Sequence, residues 1–157
     1  MFFASDNSGP VHPKIMQRVI EANTGYAMPY GNDDIMSDVR ANIRATFEAP
    51  DAAVYLVSTG TAANSLALAC YTQPWQTIFC AQYSHIEEDE CNAPEFYAGG
   101  AKLTLVPGSD RMTPHALRAT ITNEQNRGVH GPQRGPVSVT QVTEQGGVYS
   151  VEEIQAL

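Results

Sequence analysis

Short apolar, β-branched runs alternate along most of this chain with stretches whose apolar residues recur at helical spacing. Near the start, Ile15, Met16, Val19 and Ile20 share one face of a helix opened by Pro13 and stopped at Asn23-Thr24-Gly25. A second amphipathic helix is predicted over 34–47, with Ile35, Met36, Val39, Ile43 and Phe47 inward and Asn32 or Asp33 as cap. Ala53-Val54-Tyr55-Leu56-Val57 reads as a buried strand, and Ser58-Thr59-Gly60-Thr61 as a turn into a small-residue helix from Ala62 to Cys70. Further strands are predicted over 77–80, 102–106 and 137–142. Thr113-Pro114 opens a helix through Leu117 and Ile121, and Ser150-Val151-Glu152-Glu153 is a capping box at the start of a last one.

After the two leading helices the order is β-α-β-α-β-α-β-α, which implies a mainly parallel sheet with helices on both faces. Ligands of such sheets bind at the carboxyl ends of the strands. That rule puts Ser58 to Thr61, His85 and Glu144 along one rim. The last helix begins with a good cap and stops at Leu157 with no stop signal, so the sequence reads as cut short.

Composition narrows the function classes. The 157 residues are enough for one domain with a real core, and 43% hydrophobic with 17% charged residues fits a globular chain. A net charge of −8, with Lys and Arg scattered, argues against nucleic acid. No apolar run reaches the length of a membrane span and no leader pattern opens the chain, so a cytoplasmic location is expected. Cys70, Cys80 and Cys91 have neither the number for a disulfide framework nor the spacing of a zinc site, and no metal is expected. Two tyrosines in the loop 26–32 call for something to pack on.

The Ser-Thr-Gly-Thr turn carries the clearest chemistry. It aims backbone N–H groups, hydroxyls and the positive end of a helix dipole at one spot, which suits a phosphate. An ordinary βα turn capped by Thr59 or Thr61 explains the same residues equally well. The turn matches neither a Walker A loop nor a dinucleotide fingerprint. His85 stands at the sheet rim, where an imidazole stacks on a planar ligand or transfers protons, although a surface histidine also fits. The run Glu87 to Glu90 reads as a catalytic carboxylate or as a solvated helix start, and His130 in Gly-Val-His-Gly-Pro is equally open.

Taken in order, the motifs Phe3-Ala4-Ser5-Asp6-Asn7, Tyr30-Gly31-Asn32-Asp33, Thr59-Gly60-Thr61-Ala62-Ala63-Asn64-Ser65-Leu66-Ala67-Leu68, His85 to Cys91, Ala93-Pro94-Glu95-Phe96 and Val139 to Glu144 resemble the low-specificity L-threonine aldolases. These are β-eliminating lyases of the fold-type I group that use pyridoxal 5'-phosphate. The resemblance implies a three-layer αβα fold with a mainly parallel sheet, the large domain of a fold-type I transferase-like enzyme. Residues 1–35 would serve the subunit interface and active site, and 36–157 would form the first part of the cofactor-binding domain.

Residue by residue, the resemblance implies that Ser58, Thr59, Gly60 and Thr61 hold the cofactor phosphate. His85 would stack on the pyridine ring, and Glu144 would lie over the cofactor. Ser5 would stand near the substrate carboxylate, with Tyr30 lent to a neighbouring subunit's site in a dimer-built homotetramer. Glu90 and His130 would lie near the substrate's β-hydroxyl, making His85, His130 and Glu90 the expected catalytic set. Thr143-Glu144-Gln145-Gly146-Gly147 departs from the family's usual Glu-Asn-Thr-His-Asn. The family's Schiff-base lysine, its pyridine-nitrogen aspartate and its carboxylate-binding arginine are expected beyond residue 157, since Lys14 and Lys102 sit in no such motif. The implied reaction splits a β-hydroxy-α-amino acid such as threonine into glycine and acetaldehyde. Two readings stand beside it: β-elimination from an aromatic or thiol amino acid, and a non-catalytic fragment that binds the cofactor.

Overall fold

A computed structural model of the chain describes residues 8–157. It divides into two compact units, Met1–Tyr55 and Leu56–Leu157. The first holds helices α1 (Pro13–Ala22) and α2 (Asp34–Thr46). Pro13 opens α1 as predicted, and the His12 side chain accepts the Lys14 N–H. Asp33 caps α2 by accepting the Met36 N–H at 2.8 Å. Arg40 donates to the Gly31 carbonyl and Arg44 to that of Ala52, which closes the loops flanking α2.

The inward face expected of α2 is not buried: Ile35 and Phe47 are exposed, and neither helix buries a residue. Two helices alone offer too little apolar area to enclose one another's stripes. Tyr26 and Tyr30, expected to pack on something, are fully exposed among the described residues.

The second unit contains α3 (Gly60–Tyr71), β1 (Gln76–Ala81), α4 (His85–Glu88), α5 (Ala93–Tyr97), β2 (Lys102–Val106), α6 (Pro114–Gln125), a 3₁₀ turn (Gly128–His130), β3 (Gln133–Val137) and α7 (Val151–Ala156). The sheet order is β2-β1-β3, with both pairs parallel. Central β1 is buried along nearly its whole length, and its alternating side chains feed two cores. Ile78 and Cys80 pack with Leu68 of α3, Ile86 of α4 and Ala98 on one face. On the other, Phe79 and Ala81 pack with Val106, Met112 and Leu117 of α6. Helices therefore cover both faces of a parallel sheet, the three-layer αβα arrangement that the alternation implied.

Two strands differ from expectation. Residues 53–57 belong to no ladder among the described residues, and Tyr55, Leu56 and Val57 are exposed. An apolar run becomes a strand only where a neighbour completes its hydrogen bonds. The third strand lies at Gln133–Val137 rather than 137–142. Its pairing with β1 skips a residue between Arg134 and Val137, a bulge that contains Gly135 and Pro136. The ladder continues only to the Ser138 N–H, which donates to Phe79 O at 2.8 Å.

Candidate active site

The turn before α3 forms as the sequence required. Thr59 is the N-cap, its hydroxyl oxygen accepting the Ala62 N–H at 3.1 Å, while its carbonyl accepts the Ala63 N–H. The N–H groups of Gly60 and Thr61 have no acceptor among the described residues. A Cβ built on Gly60 would meet nothing, so an anion can approach this backbone closely. Free N–H groups, the residues Ser58, Thr59 and Thr61 with their hydroxyls, and the positive pole of a 12-residue helix thus share one turn. This donor set fits a phosphate monoester such as that of pyridoxal phosphate.

His85 opens α4, four residues beyond the carboxyl end of β1. The Ser84 N–H donates to Ala81 O and the Asp89 N–H to His85 O, so two tight turns hold the histidine at the strand's end. Its ring is 38% exposed, and Nδ1 lies 2.9 Å from Oε1 of Glu90. That leaves a ring partly open on one side and anchored on the other.

Glu90 was expected beside the substrate's β-hydroxyl. Its side chain is wholly buried beside His85, and Oε1 also accepts a hydrogen bond from Asn64 Nδ2 at 2.6 Å. Cys91 and Asn92 follow in left-handed conformation, at φ 50° and 59°, and reverse the chain into α5. Asn64 was missed as a site residue. Its sequence signals were its place in the Thr59 to Leu68 motif and its being one amide within a run of small and apolar helix residues.

Glu144 reaches the same rim. Ligand atoms of His85, Asp89 and Glu144 lie within 4.8 Å of one another, with both carboxylates exposed. Exposed carboxylates around an imidazole are ordinary at a surface and do not by themselves make a metal centre.

His130 is not brought to this rim. It ends the 3₁₀ turn and lines a hollow of about 290 Å³ with Pro74, Trp75, Gln76 and Lys102. Gln76 and Lys102 begin β1 and β2, so His130 sits at the amino ends of the strands, opposite His85. Lys102 is at that same wrong end. Tyr30 belongs to the first unit, and Ser5 lies outside the described residues.

An αβα parallel sheet with an anion-binding helix start and a rim histidine after the next strand is the large-domain architecture of the fold-type I pyridoxal-phosphate enzymes. Comparison with solved structures agrees. The chain superposes on Leishmania major threonine aldolase with a TM-score of 0.84 at 28% identity, over 95% of this chain and 43% of that one. The model of the beta-eliminating lyase family matches residues 3–157, and the chain belongs to that family. Two low-specificity L-threonine aldolases are similar to it over 99% of its length, one from Pseudomonas aeruginosa at 38% identity and one from a Pseudomonas species at 36%. The chain spans 44% of the length of each. The family and these relatives depend on pyridoxal phosphate. No helix among the described residues is long and apolar enough to cross a membrane.

Proposed function

We propose that the protein is a pyridoxal-phosphate-dependent aldehyde-lyase that cleaves L-threonine or L-allo-threonine to glycine and acetaldehyde. The similarity to two curated threonine aldolases over nearly the whole chain carries this reading. The donor turn at Thr59 to Thr61 and the anchored imidazole of His85 supply the chemistry it needs.

The Gly60 and Thr61 N–H groups would bind the phosphate, helped by the Ser58, Thr59 and Thr61 hydroxyls. His85 would offer its ring face to the pyridine, and Glu144 would close over it. When bound, the cofactor supplies an electron sink for the pair released at the substrate's α-carbon. Orientation and proton handling fall to the chain. His85, held at Nδ1, keeps Nε2 for hydrogen bonding or proton transfer. Ser5 would receive the substrate carboxylate. The covalent lysine would come from outside these residues, the relatives being more than twice as long.

The site is proposed to be shared between subunits of a homo-oligomer built from dimers. The exposed apolar face of α1 and the exposed Tyr26 and Tyr30 support that reading. Because His130 stands at the far end of its own sheet, it would contact substrate only from a neighbouring subunit.

The deciding assay incubates the protein, as its gene encodes it, with pyridoxal phosphate and L-threonine and identifies the products. Glycine and acetaldehyde in equal amounts are expected. A keto acid with ammonia would replace the aldolase reading by β-elimination, and no turnover with tight cofactor binding would leave a non-catalytic binder. Mixed oligomers of His85→Asn and His130→Asn chains should regain activity that neither variant has alone. No recovery would remove His130 from a shared site.

A further inference from the structure

We infer that Asn64 is a positioning residue for His85: acting through the buried carboxyl of Glu90, it fixes the imidazole as its Nδ1–H tautomer and leaves Nε2 free. The argument starts from what each atom is able to do. An amide nitrogen only donates, so Oε1 of Glu90, 2.6 Å from Asn64 Nδ2, is an acceptor. His85 Nδ1 approaches that same oxygen at 2.9 Å. An oxygen already accepting from Asn64 presents its second lone pair to the ring, so Nδ1 must carry the hydrogen. That follows for the ionised carboxylate, and equally for a carboxyl protonated on Oε2.

Burial makes the arrangement binding. Oε2 of Glu90 is buried without a partner, so Asn64 and His85 are the side chain's only hydrogen-bonding anchors among the described residues. Asn64 stands one helical turn beyond Gly60, on the helix whose first N–H groups face the proposed phosphate. One carboxyl oxygen therefore braces two elements that are distant in sequence, the anion-binding turn and the ring proposed to stack. Without Asn64 the carboxyl is held by His85 alone and is free to turn away from the ring, which loosens the imidazole and admits the Nε2–H tautomer.

The functional value of this bracing rests on the cofactor reading above, but the tautomer itself does not. The test uses the protein as its gene encodes it, labelled with ¹⁵N-histidine and free of cofactor, with His85→Asn assigning the resonances. Wild type should show His85 as the Nδ1–H tautomer. Asn64→Leu should show mixed tautomers and bind pyridoxal phosphate about tenfold more weakly, the size of one charge-assisted hydrogen bond. Asn64→Ser, too short to span the gap, should do the same and serves if the leucine variant does not fold. Glu90→Gln, which keeps an acceptor oxygen for both donors, should retain the wild-type tautomer, whereas Glu90→Leu should lose it. A merely structural role for Asn64 would lower melting temperature and leave the tautomer unchanged. That result in both Asn64 variants, or an Nε2–H tautomer in wild type, overturns the inference. A wild type with the expected tautomer that fails to bind the cofactor sinks the cofactor reading alone.

Discussion

The phenol oxygen of Tyr149 accepts the backbone N–H of Met112 at 2.6 Å, joining two buried residues that lie 37 positions apart. Arg111 stands 5.9 Å from the centre of the same ring, and its Nη1 donates to Val148 O and Glu153. Tyr149→Phe would strand a buried donor, so it should cost about 1–3 kcal/mol in urea denaturation. Burial is the main reason the phenol titrates above its ordinary value of 10.0, despite the opposing pull of the Met112 hydrogen bond. A raised folded value means the neutral form is favoured by folding. The contribution is therefore complete below the ordinary phenol range and lost as pH climbs through the folded value. Urea midpoints should fall in strong alkali for wild type, with a shallower fall for Tyr149→Phe.

The three cysteines should separate by reactivity. All are unpaired, with Cys70 and Cys91 exposed and Cys80 buried in β1. Burial pushes the Cys80 thiol up to about 11, against a smaller lowering effect of the neighbouring Ser84 hydroxyl. The thiolate is the reacting species. Titration with a thiol reagent at mild alkaline pH should label Cys70 and Cys91 quickly and Cys80 only after denaturant is added. Rapid labelling of Cys80 in the folded protein would contradict the packing of β1.

Thr59 caps α3 and is proposed to help hold the phosphate, and both effects should follow its hydroxyl. Thr59→Ala removes the oxygen that caps α3 and should cost about 1 kcal/mol in thermal or urea denaturation. Thr59→Ser keeps the oxygen and should recover most of that loss. Both duties share one hydroxyl, so titration with pyridoxal phosphate should also weaken in the alanine variant and recover in the serine variant.

Gly135 marks the bulge in β3. A Cβ there would run into the carbonyl of Thr77 on the neighbouring strand. Gly135→Ala should therefore destabilise by about 1–3 kcal/mol, as overpacking does, with the loss seen as a lower melting temperature. An unchanged melting curve would mean that β3 does not sit against β1 as described.

Helix limits were legible from the sequence because their signals are local. Asp33, Thr59, Thr113 and Ser150 each accept the expected backbone N–H, and α3 and α6 merely run a few residues further than the apolar pattern showed. The third strand was misjudged because β3, with sequence Gln-Arg-Gly-Pro-Val, lacks alternation and includes a proline. Register with β1 decides it, and register is a property of two segments that no single window contains. Ala53 to Val57 differed for the complementary reason, an apolar pattern with no ladder to join among the described residues. At the site, the turn and the rim histidine were readable as types placed by topology. Buried Glu90 and its bond to Asn64 were not, since a contact across 26 positions leaves no mark in either neighbourhood.

β1 is flanked by a strand on each side and covered by helices on both faces, which has a bearing on motion. Its amides should open to solvent only when the whole unit unfolds, while those of Gly60 and Thr61 have no acceptor among the described residues. Hydrogen exchange should therefore be slowest at Phe79 to Ala81 and fast at Gly60 and Thr61. His85 hangs four residues from the slowest segment and shares a buried anchor with the helix that the fast amides begin. An incoming anion would quench the mobile partner and meet a ring whose place is already set. Ordering on binding would then be confined to one turn of backbone.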